Sequence, residues 1–202
     1  MCGIYGEFAS NGVVDNDRVV HGSVIMQSRG RDSFGYVART EDGEIEVSKD
    51  ACDARTFFER YPLTGRYKWI FCHTRGASHG SISRYNAHPF EVGDIIGLQN
   101  GFLFNHNEVA AKVGLKPRAV DSHVLIDMID RFGDPDKFSG LWWGAIVYFN
   151  KKDGEIHIRD NTFVNMYSSE RSGVTGFAST SECLERLGFR VAESVTSITM
   201  KG

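Results

Sequence analysis

The sequence predicts an α+β domain built mainly on antiparallel sheet. Three observations lead there. β-prone runs flank Glu41-Asp42-Gly43 and again Lys152-Asp153-Gly154, the turn chemistry that joins adjacent antiparallel strands. Segments of helical period, with capping residues in front and glycine behind, are interspersed with those strands. The chain has 202 residues, of which 41% are hydrophobic and 24% charged, enough for one self-sufficient core. No repeat, low-complexity tract or composition shift divides it, so residues 1–202 read as a single domain.

Taken in order, 3–9 reads as a short buried strand. Asp15 or Asn16 can cap a helix through Val19, Val20, Ser23, Val24 and Met26, stopped by Gly30. Strands 34–40 and 44–49 form the first hairpin. A short helix over 53–61 ends at Pro62. Strand 67–74 sets Trp69, Phe71 and His73 on one face against Ile70, Cys72 and Thr74 on the other. Residues 75–93 lack any period and read as a long loop, the kind that often carries function. Strand 94–99 runs into Asn100-Gly101 and resumes over 102–104. Asp121 can cap a helix carrying Val124, Leu125, Met128, Ile129 and Phe132, stopped by Gly133. Strands follow at 141–149, 155–159, 164–168 and 174–178, then a helix over 180–187 stopped by Gly188 and two short closing strands.

Several function classes are disfavoured. The net charge of -3 gives no electrostatic draw toward nucleic acid or an anionic membrane. There is no run of 18 apolar residues and no basic flank with an apolar stretch at the N-terminus, so neither a membrane span nor a signal peptide is expected. Cys2, Cys52, Cys72 and Cys183 are widely spaced and form no paired motif, which suits free thiols in a reducing, cytoplasmic compartment. His73, His79 and His88 have a spacing that matches no familiar metal site, and neither a metal nor another cofactor is expected.

Cys2 is the most informative position. Initiator methionine is commonly removed before a small second residue. That would leave a thiol and a free α-amine on one residue, and an α-amine of pKa about 7.7–8.0 can act as a base near neutrality. The bland alternative is an ordinary buried cysteine. Polar clusters follow at His73-Thr74-Arg75-Gly76-Ala77-Ser78-His79-Gly80, Asn86-Ala87-His88-Pro89, Gln99-Asn100-Gly101 with Asn105-His106, and Val120-Asp121-Ser122-His123.

These motifs make the chain resemble the glutaminase domain of class II glutamine amidotransferases, which are N-terminal nucleophile hydrolases. Met1 to Gly6 match the family's opening, and Arg29-Gly30-Arg31-Asp32-Ser33-Phe34-Gly35 its Arg-Gly-x-Asp-Ser-x-Gly element. Residues 73–80 and 86–89, Asn100-Gly101, Asn105-His106 and Asp121 match later elements, in family order. The resemblance implies a four-layer αββα sandwich of two mainly antiparallel sheets. It implies hydrolysis of the glutamine side-chain amide through a Cys2 thioester, with the Cys2 α-amine as proton shuttle. Asn100 and the Gly101 N–H would stabilise the oxyanion. Arg75 would hold the substrate α-carboxylate and Asp121 its α-ammonium, with Ser78 and His79 lining the loop.

Simpler roles compete. Arg75 could be a structural ion-pair residue, Asp121 only a helix cap and Asn100-Gly101 only a turn. Asp32 and Ser33 read as supports for backbone near the nucleophile. Gly76 departs from the tryptophan of the amino-sugar synthase branch. No synthase domain is expected on this chain, so ammonia would pass to a synthase on a separate chain. The alternatives are hydrolysis of another γ-glutamyl amide, and a degenerate glutamine-sensing or assembly subunit.

Overall fold

Period-two alternation and short turns dominate the chain, and strands dominate the fold. The computed structural model describes residues 1–162, 166–190 and 192–202. Among these, strands β1 (Gly3–Ala9), β2 (Ser33–Thr40), β3 (Ile45–Asp50), β4 (Tyr67–Arg75), β5 (Phe90–Val92), β6 (Ile95–Leu103), β7 (Trp142–Asn150), β8 (Glu155–Asp160), β9 (Tyr167–Arg171), β10 (Val174–Ala178), β11 (Glu193–Ser194) and β12 (Ser197–Lys201) form two sheets. One has the order β11-β9-β10-β1-β4-β2-β3, the other β12-β8-β7-β6-β5. Every described strand pairing is antiparallel.

Helices α1 (Asn16–Met26), α2 (Ala54–Arg60), α3 (His106–Lys112), α4 (Asp121–Phe132) and α5 (Ser181–Arg186) cover the outer faces. Three apolar layers result. Val19, Met26, Phe57 and Leu184 pack on Tyr5, Tyr36, Ile70 and Cys72 of the first sheet. Ile4, Trp69, Phe71 and Phe177 meet Ile96, Leu98, Val147 and Ile158 between the sheets. Val124, Leu125, Met128 and Ile129 of α4 pack on Ile95, Ile146 and Tyr148 of the second sheet. The αββα sandwich expected from the resemblance is the fold observed. No helix among the described residues is long and apolar enough to cross a membrane.

Asp15 and Asp53 cap α1 and α2 by accepting the backbone N–H groups of Arg18 and Thr56. Two expectations need correction, one competing alternative falls, and one helix is added. The loop expected over 75–93 contains β5 at its end, where Phe90–Val92 pair with Ile95–Gly97. Asn100-Gly101 is not a turn but lies within the unbroken β6, opposite Ala145 and Gly144 of β7. A Cβ on Gly101 would sit 1.9 Å from the Trp143 carbonyl oxygen, so the close approach of β7 requires glycine there. Asp121 is the first residue of α4, not its cap. Val120 holds the cap position, and the Asp121 carboxylate turns away to accept the Leu103 N–H. Finally, α3 was not anticipated; it follows Asn105, which adopts the left-handed conformation at φ 46°. Of the strand expected over 164–168, residues 164 and 165 lie outside the described residues, and β9 begins at Tyr167.

Candidate active site

Three strand ends converge. Gly3 of β1 pairs with Thr74 of β4, and Ser33 of β2 pairs with Arg75, so Cys2, Arg75 and the Asp32 loop meet at one end of the larger sheet. The alternation that sends Ile4, Trp69, Phe71, Ile96 and Leu98 between the sheets carries on to Cys2, Arg75 and Asn100. Thr74 ties the corner, its hydroxyl donating to the Met26 carbonyl at 3.0 Å and lying 3.3 Å from that of Gly3.

Cys2 is half-buried, and its Sγ lies 3.8 Å from the Gly76 carbonyl oxygen. Arg29 Nε donates to the Cys2 carbonyl at 2.7 Å. Burial pushes the thiol pKa up. The Gly76 backbone contact, the N-terminal ammonium and Arg75 pull it down, while Asp121 adds to the rise. The sulfur is therefore a thiol at neutral pH, and attack on an amide needs a base at hand. A Cβ at position 76 would come within 2.7 Å of the Met1 carbonyl oxygen and 2.9 Å of the Met1 nitrogen. Gly76 thus makes room for the unprocessed N-terminus.

Arg75 is 2% exposed. Its guanidinium donates to the carbonyl oxygens of His79 and Ser81, so it braces the loop that follows it. Burial lowers its pKa, opposed by Cys2, Asp32 and Asp121. Asp32 fixes the same loop at its base, accepting the Ala77 N–H at 2.7 Å. Ser78 and His79 are exposed on the loop, with Ser78 Oγ and His79 Nδ1 3.3 Å apart. His79 Nδ1 is also 3.8 Å from Asp121 Oδ1, so the loop lies over the buried carboxylate. Asn100 sits across from Cys2 on the second sheet, and its Nδ2 donates to Ser179 Oγ at 3.1 Å. Beside Asp121, an open cleft is lined by His79, Phe102, Leu103, Phe104 and His106.

The structure thus groups Cys2, Arg75, His79, Asn100 and Asp121, with Gly101 beside Asn100 and Ser78 at the rim. Three further residues have supporting roles the motifs did not reveal. Arg29 holds the Cys2 carbonyl. Ser179 touches both Asn100 and β1. His73 Nε2 lies 2.9 Å from the Gln99 carbonyl; that acceptor puts the ring proton on Nε2 and ties β4 to β6 beside Asn100. His73 also stacks on His88 at 3.9 Å between ring centroids, and burial holds both rings neutral.

No protein-family model matches the chain. Among curated proteins, it is 31% identical over 137 residues to a glutamine–fructose-6-phosphate aminotransferase of Pseudomonas putida, covering 64% of this chain and 22% of that one. It is 37% identical over 125 residues to the protein of the same name from Corynebacterium efficiens, covering 57% and 20%. The chain therefore spans about a fifth of the length of these relatives. Among solved structures, a glutamine phosphoribosylpyrophosphate amidotransferase from B. subtilis superposes with a TM-score of 0.79 at 16% identity, covering 99% of this chain and 49% of that one. A structure described as the allosteric regulatory enzyme of purine biosynthesis gives 0.81 at 17%, covering 99% and 47%.

Proposed function

We propose that this chain, a class II glutamine amidotransferase domain of the N-terminal nucleophile hydrolase type, hydrolyses the side-chain amide of glutamine to glutamate and ammonia. The observation that carries the reading is the convergence of Cys2, Arg75, Asn100 and Asp121 at one end of the sandwich. Removal of Met1 frees the Cys2 α-amine. That amine takes the thiol proton as sulfur attacks the amide carbon, then gives a proton to the departing ammonia. The Asn100 side chain and the Gly101 N–H stabilise the oxyanion. Water hydrolyses the thioester, releasing glutamate and the thiol. Buried Asp121 offers a carboxylate to the substrate α-ammonium. Arg75 offers positive charge to the α-carboxylate, and Ser78 and His79 border the entrance.

Ammonia released here would pass to an acceptor synthase. Four fifths of each curated relative lies beyond the match; in our reading the acceptor unit is carried on a separate chain, and the apolar rim of this site supports its docking. Leu141, Phe102, Phe104 and Trp143 are exposed there, with Phe102 and Trp143 stacked at 5.3 Å. The free cysteines suit a reducing, cytoplasmic setting. A second reading, hydrolysis of an N-substituted γ-glutamyl amide, is favoured by Gly76, which places no side chain over the nucleophile.

The test is intact mass and peptide mapping with diazo-oxonorleucine, a glutamine-mimicking affinity label, alongside a glutaminase assay. Loss of Met1 and a single adduct on Cys2 are expected. Burial raises the thiols of Cys72 and Cys183 to about 12, so neither competes. A label on another cysteine, or full retention of Met1 in active protein, refutes the assignment. Faster turnover of an N-alkyl glutamine than of glutamine would favour the second reading.

A further inference from the structure

Ser179 follows β10 and precedes α5; it lies 177 positions after the nucleophile in the sequence but is hydrogen-bonded to Ile4, two residues from it. Its backbone N–H donates to the Ile4 carbonyl at 2.9 Å, continuing the β10–β1 ladder. Its side chain then does what a strand carbonyl would do next: Oγ accepts the Ile4 N–H at 3.0 Å. The same oxygen accepts from Asn100 Nδ2 at 3.1 Å. The residue is 2% exposed. One buried hydroxyl oxygen therefore joins the strand that follows Cys2 to the Asn100 side chain of the opposite sheet.

A carboxamide presents two chemically opposite ends. Only the NH2 end can donate to a developing oxyanion; the oxygen end would repel it. When one Nδ2 hydrogen is engaged by Ser179, the other points about 120° away in the same plane and is available to the substrate. Without a partner the amide can rotate about χ2, a soft two-fold torsion. We propose that Ser179 is a positioning residue for the glutaminase reaction: it locks the Asn100 amide with its N–H aimed at the oxyanion and fixes its distance from Cys2 through Ile4. The inference rests on the functional reading above and adds to it a residue acting through Asn100.

The test is a double-mutant cycle on the processed enzyme. Ser179→Ala should lower kcat about tenfold or more and leave KM within about threefold, because the affected contact strengthens in the transition state. In an Asn100→Ala background the same substitution should change kcat less than about twofold, since nothing is left to orient. Equal losses in both backgrounds, or full activity in Ser179→Ala, would overturn the inference while leaving the functional reading intact. Absence of turnover in the unmutated chain would overturn both. Side-chain amide NMR supplies a readout that needs no turnover and, in the unmutated chain, no folded variant. One Asn100 Nδ2 proton should exchange slowly in the unmutated protein and more than about tenfold faster in Ser179→Ala; rapid exchange already in the unmutated protein would refute the lock.

Discussion

Lowering the pH from 7.5 to 5.5 should remove about 3 kcal/mol of folding stability through two histidines alone. His73 and His88 are buried ring against ring. Burial pushes His73 down to about 3 and His88 well below its ordinary value; Arg75 depresses both, and His73, Lys49 and His123 further depress His88. In the unfolded chain each ring takes up a proton near pH 6.5, whereas in the folded chain neither does until far lower. The unfolded state therefore binds more protons throughout that window. The stabilisation is complete above pH 6.5 and drains away as the pH falls toward 3. Below 6.5 each such group costs about 1.4 kcal/mol per pH unit, so at pH 5.5 the pair costs about 3 kcal/mol. Against a typical total of about 5–15 kcal/mol that is a large share. Burial also lowers His123, to about 4, and His157, and both act in the same direction. Urea melts at pH 7.5, 6.5 and 5.5 measure the effect. His88→Phe, which can keep a ring against His73 and Phe90, should reduce the slope by about 1.4 kcal/mol per pH unit. Stability that stays level or rises down to pH 5.5 would refute the buried neutral pair.

Two predictions address the chemistry. Cys2→Ala should abolish turnover while calorimetry still detects glutamine, because Arg75 and Asp121 remain in place. Asn100→Ala should lower kcat by about two to three orders of magnitude with little change in ground-state affinity, as expected for an oxyanion donor; steady-state kinetics showing a change confined to KM would contradict that role.

The sequence made it readable that Arg75 and Asn100 point toward the same end as Cys2, and physics explains why. Strand alternation is strict, so the faces of Trp69, Phe71 and His73 dictate where Arg75 points, and the same rule orients Asn100 from Ile96 and Leu98. Elements with little burial of their own were not readable. β5 is three residues long, and of the seven residues of α3 only Val109 and Ala110 are buried. Asp121 misled as a cap because a carboxylate before an apolar helix usually caps it. Here the carboxylate serves Leu103 of β6 instead, a tertiary contact that overrides the local preference. The competing turn reading of Asn100-Gly101 falls for a similar reason, since only the approach of β7 shows that glycine is needed inside a strand. Ser179 carries no signal at all, because its partners Ile4 and Asn100 are 175 and 79 positions away.

Arg75 is where geometry changes what a substitution should do. Read as a substrate clamp, its loss would weaken glutamine binding and nothing else. The structure also gives it a second task, because its guanidinium reaches the carbonyls of both His79 and Ser81 and so holds the loop bearing Ser78 and His79. Arg75→Ala would strip both carbonyls of their donor and remove the guanidinium that Asp32 and Asp121 act on. Arg75→Lys keeps the charge but replaces a planar fork with one compact ammonium, which cannot reproduce the spread of the fork. The lysine variant should therefore raise KM substantially, with a smaller effect on kcat, and should also speed proteolytic cleavage within residues 77–86. Limited proteolysis in parallel with kinetics separates the two tasks. A rise in KM with an unchanged cleavage rate would leave Arg75 as a clamp only, whereas faster cleavage with normal KM would make it a brace that never meets the substrate.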